Sequence, residues 1–111
     1  MKTEFCTEMR EKFIRDIIKI YGDNLISIIL YGSVARDNAS EESDIDIAIL
    51  IKNDDEVMHD KMLDLVVDLN LEYNQLLAPA LIRIDEFEKW RGVLPYYKNI
   101  EKEGIVLWKA A

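Results

Sequence analysis

The sequence predicts an α/β (α+β) fold, a small mixed sheet flanked by helices, in a single domain spanning residues 1–111. Two isoleucine-rich apolar runs, 25–31 and 44–52, are typical of strands that are covered on both faces. Segments 5–20 and 54–70 instead carry apolar residues at helical spacing. Because helical and extended segments alternate, we expect the strands to form one sheet on which the helices pack.

The remaining elements follow from local signals. Gly22 is expected to end the first helix, since glycine is a common helix stop. A third strand is predicted within 75–84, and Pro79 is expected either to interrupt it or to put it at an edge of the sheet. A short helix over 85–90 precedes a helix opened by Pro95 and ended by Gly104. Residues 105–108 are predicted to form a final strand.

Composition narrows the classes of function. A net charge of −8 opposes binding to nucleic-acid backbones, which requires a basic surface. No run approaches the roughly 20 apolar residues that span a bilayer, and the N-terminus has no signal-like apolar region. We therefore expect a cytoplasmic protein without a membrane partner. The single cysteine, Cys6, cannot form an internal disulfide and is expected to be packed. A chain of 111 residues often gains stability by association, so a homo-oligomer or a protein partner is also considered.

The informative feature is a break between the two strands. Gly32 and Ser33 end the first strand, and Asp44 and Asp46 open the second after ten intervening residues. Side chains alternate along a strand, so the two carboxylates are expected on one face, roughly 6.5–7 Å apart along the chain. Either piece alone has an ordinary explanation, a plain turn or a solvated strand edge. Together they favour a phosphate and metal site.

The chemistry of these residues supports that interpretation. Two carboxylates facing one space raise each other's pKa unless a cation joins them. Mg²⁺ binds one or two carboxylates together with substrate phosphates, which makes Asp44 and Asp46 candidate metal ligands. Gly32 permits a tight turn and close approach of a phosphate. Ser33 can donate to that phosphate, and Arg36 can help to neutralise it.

These motifs resemble a known family. The segment Tyr31-Gly32-Ser33-Val34-Ala35-Arg36, followed by Ser43-Asp44-Ile45-Asp46-Ile47, is similar to the signature of the DNA polymerase β-like nucleotidyltransferases. Among them it is similar to the minimal nucleotidyltransferases (MNT), which often pair with a HEPN-domain protein as toxin and antitoxin. The ending from Pro95 to Ile105 also resembles that group, and the resemblance covers nearly the whole chain.

The resemblance implies a nucleotidyltransferase fold and a set of roles. Gly32 and Ser33 would hold a nucleoside triphosphate, with ATP expected. Asp44 and Asp46 would be the catalytic carboxylates and would hold Mg²⁺. The reaction implied is transfer of a nucleoside monophosphate to a hydroxyl, often of a protein tyrosine, with release of pyrophosphate. The partner implied is a HEPN-domain protein.

The chain departs from the family pattern at two places. Asp37 follows Arg36 where the family usually has glycine. The family also places a third carboxylate on the strand after the long helix, but here that strand starts near Asn74 and Gln75 with no acid. Glu72 and Asp85 flank the strand without matching the position. Asn74 and Gln75 are therefore the positions at which the sequence predicts that an acid would restore activity.

Two hypotheses remain open at this stage. The first is a metal-dependent nucleotidyltransferase that uses ATP or another nucleoside triphosphate. The second is a catalytically weak or inactive antitoxin of the same fold that acts by binding its partner. The Asp44–Asp46 pair favours the first hypothesis, and the missing third acid favours the second.

Overall fold

The computed structural model describes residues 5–35 and 44–111. In chain order, the elements are α1 Thr7–Tyr21, a 3₁₀ turn Gly22–Asn24, β1 Leu25–Tyr31, α2 Gly32–Ala35, β2 Ile45–Ile51, α3 Glu56–Tyr73, β3 Leu77–Arg83, α4 Ile84–Trp90, α5 Pro95–Glu103 and β4 Ile105–Lys109. All the predicted strands and helices are present, so the predicted α/β architecture is confirmed.

The four strands described form one mixed sheet in the order β3-β2-β1-β4. β1 pairs antiparallel with β2 and with β4, whereas β2 and β3 run parallel. β3 lies at an edge, as Pro79 predicts, because proline cannot donate a hydrogen bond to a second neighbour. The central position of β1 and β2 explains why their sequences are almost wholly apolar.

One face of the sheet is covered by α1 and α3. α1 buries a stripe at intervals of four residues, formed by Met9, Phe13, Ile17 and Tyr21. These side chains meet Ile45 and Ile47 of β2 in the larger core cluster. Complete burial of a large apolar side chain contributes about 1.5–3 kcal/mol, so this stripe holds α1 on the sheet.

The opposite face is covered by α4 and α5. Phe87 of α4 and Ile100 of α5 pack on Ala48 and Leu50 of β2 in the second core cluster. Asp46 belongs to this second face, because it alternates with Ile45 and Ile47 and is in phase with Ala48. The candidate site therefore lies on the α4–α5 side of the sheet.

One expectation about the chain start is wrong. Cys6 is exposed rather than packed, because it lies at the N-cap of α1, one position before the first helical residue.

Within residues 5–35 and 44–111, no helix has the length and apolar character that crossing a membrane requires.

Candidate functional site

The turn after β1 requires glycine. Gly32 has a φ of +76°, a conformation that L-residues with a side chain rarely adopt. A Cβ atom added to Gly32 would collide with Oδ2 of Asp46. The carboxylate of Asp46 therefore lies directly against the backbone where β1 turns into α2.

Asp46 is held in place by its strand. It is partly exposed, whereas its neighbours Ile45 and Ile47 are fully buried on the other face. The predicted orientation of these two isoleucines into the core is confirmed. Their burial fixes the direction of Asp46, because rotating β2 would expose both isoleucines.

Asp44 lies just before β2 and is exposed. The strand is anchored next to it by the amide of Ile45, which donates to the carbonyl of Leu76 at 2.8 Å. Asp44 is two residues from Asp46 but outside the assigned strand. That the two carboxylates face one space therefore stays a prediction from their spacing.

The structure describes only part of the other two predicted phosphate ligands, Ser33 and Arg36. Ser33 is the second residue of α2, immediately after the Gly32 turn. Its backbone is thus close to the turn against which Asp46 lies. Arg36 falls in the segment 36–43, outside the residues that the structure describes.

The strand register identifies the position that a third carboxylate would occupy. Asp46 pairs with Ala78 in the parallel ladder between β2 and β3. Paired residues of neighbouring strands project to the same face, about 4.8 Å apart, so Ala78 is the β3 side chain beside Asp46. β3 itself contains no acid, so the third carboxylate that the resemblance implies on this strand is absent, and Ala78 places a methyl group beside Asp46.

The prediction that Asn74 or Gln75 occupies this position is wrong. Asn74 is the C-cap of α3 in a left-handed conformation, with a φ of 52°. The Oε1 atom of Gln75 accepts a hydrogen bond from the amide of Cys6 at 3.4 Å, which directs this side chain towards the start of α1. Both residues precede β3, and the sequence pattern could not reveal the offset between two parallel strands.

Neither flanking acid substitutes for the missing carboxylate. Glu72 lies in α3, on the opposite face of the sheet, and forms an ion pair with Lys12 at 3.0 Å. Asp85 lies after the far end of β3 and contacts Nε of Arg83 at 3.2 Å. The sequence-based judgement that neither residue matches the position agrees with these contacts.

The structure adds two tyrosines that sequence reasoning did not assign to the site. Tyr31 pairs directly with Asp46 in the antiparallel ladder between β1 and β2. Its hydroxyl lies 2.7 Å from that of Tyr96, and the two rings meet edge to face at 5.9 Å. Burial raises the pKa of Tyr31 well above its ordinary value, and the hydrogen bond to Tyr96 and the charge of Asp46 add to this effect. The only feature of the sequence that could have indicated a role for Tyr31 at the site is its position next to Gly32.

Comparisons with known proteins agree with this geometry. The family described as Polymerase beta, Nucleotidyltransferase matches residues 12–110. A protein of Methanocaldococcus jannaschii, described as a protein adenylyltransferase, is 33% identical over 91 residues, which cover 75% of this chain and 92% of the relative. A second such protein from that organism is 32% identical over 74% of this chain, but the match spans only 58% of the relative's length.

Solved structures share the fold. A nucleotidyltransferase from Sulfolobus solfataricus has a TM-score of 0.58 and 18% identity, covering 92% of this chain and 78% of the other. A toxin–antitoxin complex with AMP-PNP has a TM-score of 0.55 and 20% identity, covering 90% and 73%. A tri-AMPylated Shewanella oneidensis HEPN toxin in complex with MNT antitoxin gives a TM-score of 0.51 and 18% identity, covering 95% and 74%. The predicted family resemblance and fold are thereby confirmed.

Proposed function

Because the chain belongs to the polymerase β-like nucleotidyltransferase family, a family of enzymes, we propose that it transfers AMP from ATP to a protein hydroxyl. The observation that carries this proposal is the placement of the Asp46 carboxylate against the Gly32 turn. That contact supports the proposal because it puts a carboxylate, a group able to bind a metal, at the turn where the triphosphate would bind.

The donor set at this site suits Mg²⁺. Asp44 and Asp46 offer hard oxygen ligands, and Mg²⁺ characteristically combines one or two carboxylates with water and substrate phosphates. No group of three His, Cys, Asp or Glu side chains able to hold a metal occurs within 5–35 and 44–111. The phosphates of the nucleotide would complete the coordination of a cation held by the two carboxylates. Bound there, the cation would neutralise charge on the phosphoryl oxygens.

The chain's own residues would then bind and orient the triphosphate. Gly32 carries no side chain, and the space that a Cβ atom would fill is taken by the Asp46 carboxylate. A cation held by Asp46 would therefore lie beside this turn and bring the phosphates to it. Ser33 follows with a backbone amide and a hydroxyl, and Arg36 would supply positive charge. ATP is favoured as the nucleotide because relatives are described as adenylyltransferases and one structural neighbour is a complex with AMP-PNP.

A tyrosine of a HEPN-domain partner is the acceptor that we propose. One neighbour of the same fold is described as an MNT antitoxin in complex with a tri-AMPylated HEPN toxin. The chain would then act as an antitoxin by modifying its partner. We also propose a cytoplasmic location, which the use of ATP and the unpaired cysteine favour.

A second candidate function is favoured by one specific observation. Ala78 stands beside Asp46 on β3, the strand on which the resemblance implies an acid and which has none. Without a carboxylate on β3, the metal ligand or general base that the resemblance implies there would be missing, and a well-placed base contributes typically about 10² to 10⁴-fold to a rate. The alternative is a weakly active or inactive antitoxin that neutralises its partner by binding alone.

Label transfer from ATP separates the two functions. The purified chain and a co-expressed HEPN-domain partner are incubated with Mg²⁺ and ATP labelled at the α-phosphate, and the partner is then analysed by mass spectrometry. Adenylyl transfer adds the label and the mass of one AMP to a partner tyrosine. The same reaction with ATP labelled only at the γ-phosphate should add the mass of AMP but no label, because the γ-phosphate leaves with pyrophosphate. If the partner is neutralised without gaining AMP, binding alone is the function.

A further inference from the structure

Tyr96 is an exposed protein hydroxyl that the described structure brings beside the candidate site. It is the second residue of α5, and α5 packs against α2, the helix that begins at Gly32. Its hydroxyl is 2.7 Å from that of Tyr31, whose backbone lies directly opposite Asp46. Cross-strand partners have Cβ atoms about 4.5–5.5 Å apart, so Tyr31 links Tyr96 to the carboxylate side of the sheet.

Tyr96 is also accessible to a reactant. Its side chain is 45% exposed, whereas the adjacent Tyr97 is half-buried and packs on Phe87 with ring centroids 5.5 Å apart. The edge-to-face contact with Tyr31 holds the ring of Tyr96 while leaving much of it open to solvent. An exposed phenol whose hydroxyl is held near the site has the chemistry of an acceptor.

We propose that the chain adenylylates itself on Tyr96, a second activity that rests on the proposed function. In this step, Oη of Tyr96 attacks the α-phosphorus of ATP and forms a phosphodiester bond. The bond from the α-phosphorus to the oxygen that bridges to the β-phosphorus breaks, and that oxygen leaves with its electron pair as pyrophosphate. The phenolic proton passes to water.

The hydrogen bond between the tyrosines suits this step. When Oη of Tyr31 donates to Oη of Tyr96, the proton of Tyr96 is free to leave, and its ring is held in one orientation. The reaction is intramolecular. Holding the two reacting groups together is equivalent to an effective concentration of acceptor far above that of a free acceptor in solution. Self-modification therefore accumulates even when the missing third carboxylate makes transfer to other acceptors slow.

The full chain, incubated with Mg²⁺ and ATP, provides the test. Intact-mass measurement is expected to show a gain of one AMP, and peptide mapping to place it on Tyr96. Tyr96→Phe is expected to lose the modification, since it keeps the ring but not the hydroxyl. Tyr97→Phe is the matched control and should be modified like the wild type. Asp44→Ala/Asp46→Ala mixed with wild-type chain should stay unmodified, because the reaction occurs within one molecule.

Several results would overturn the inference. Modification of Tyr96→Phe at the wild-type level, or transfer from the wild type to the double aspartate variant, contradicts it. If the wild type binds Mg²⁺–ATP through Asp44 and Asp46 but Tyr96 stays unmodified, self-adenylylation is wrong and the proposed function stands. A role for Tyr96 only in stacking on adenine would give this result, with nucleotide affinity retained in Tyr96→Phe. If the wild type does not bind Mg²⁺–ATP, both proposals fail.

Discussion

Gly32 shows how a single missing Cβ atom shapes the site. Its positive φ and its contact with Asp46 both exclude a side chain. Gly32→Ala is expected to lower the free energy of unfolding by about 1–2 kcal/mol from the left-handed backbone alone. The displaced carboxylate should weaken Mg²⁺–ATP binding as well. Urea denaturation and calorimetry measure the two effects.

Gly92 offers the matched control for this change. A Cβ at Gly92 meets no atom within 4 Å, and its φ is not in the left-handed range. Gly92→Ala should leave both stability and nucleotide affinity close to wild type. Equal effects of the two substitutions would show that Gly32 has no special role.

The buried hydroxyl of Tyr21 is expected to make the stability of the fold depend on pH in the alkaline range. Its side chain is 2% exposed, and among the described residues its Oη atom has no hydrogen-bond partner. Burial raises the pKa of Tyr21 from 10.0 to about 12, and the charge of Asp55 adds to the shift. Below pH 10 both the folded and unfolded states keep the proton. As the pH rises from 10 towards 12, only the unfolded chain loses it, so the free energy of unfolding falls.

Tyr21→Phe should therefore reduce this alkaline loss of stability. Burial of a phenyl ring needs no hydrogen bond, so the variant should be as stable as wild type, or more stable, at pH 7. Part of the slope should remain, because burial also raises the pKa of Tyr31. Denaturation at several pH values above 9 measures the slope. If the free energy of unfolding fell with pH equally steeply in the variant, the ionisation of Tyr21 would not be coupled to unfolding.

The strands show how far an element can be predicted from sequence. β1 covers the predicted 25–31, because an unbroken apolar run ended by Gly32 leaves few alternatives. β2 and α3 likewise follow their hydrophobic periods within a few residues. The period determines which face a residue occupies, but it does not determine its partner on the next strand. The placement of Ala78 beside Asp46 therefore required the structure.

Contacts between segments that are distant in the chain could not be predicted from the sequence either. The hydrogen bond between Tyr31 and Tyr96 joins residues 65 positions apart, and that from Cys6 to Gln75 joins residues 69 apart. Neither pair has a local pattern that predicts it. The motif residues Gly32 and Asp46 could be found because each follows or opens a recognisable strand.

The register of β3 makes a prediction about catalysis. Ala78→Asp places a carboxylate beside Asp46, and we expect it to raise the rate of adenylyl transfer, up to the roughly 10² to 10⁴-fold that a well-placed base contributes. Label transfer to a partner protein measures the rate. Gln75→Glu adds the same charge near Cys6, towards α1, and should leave the rate unchanged. A wild type that already transfers rapidly would show that another group replaces the third acid.

At the scale of the whole molecule, the net charge of −8 makes an acidic site costly to assemble without a cation. Since Asp44 and Asp46 are predicted to face one space, we expect their removal to relieve local repulsion in the metal-free protein. The melting temperature of Asp44→Ala/Asp46→Ala should therefore hold or rise. A large fall would indicate that the two residues stabilise the fold rather than a ligand.

The central claim is that Asp44 and Asp46 hold Mg²⁺ and the nucleotide, and calorimetric titration with ATP in the presence of Mg²⁺ tests it most directly. Asp60→Ala/Asp64→Ala, on the exposed side of α3, removes the same charge and is the control. We expect wild type and control to bind with similar affinity, and Asp44→Ala/Asp46→Ala to lose Mg²⁺-dependent binding. Unchanged affinity in Asp44→Ala/Asp46→Ala would contradict the account.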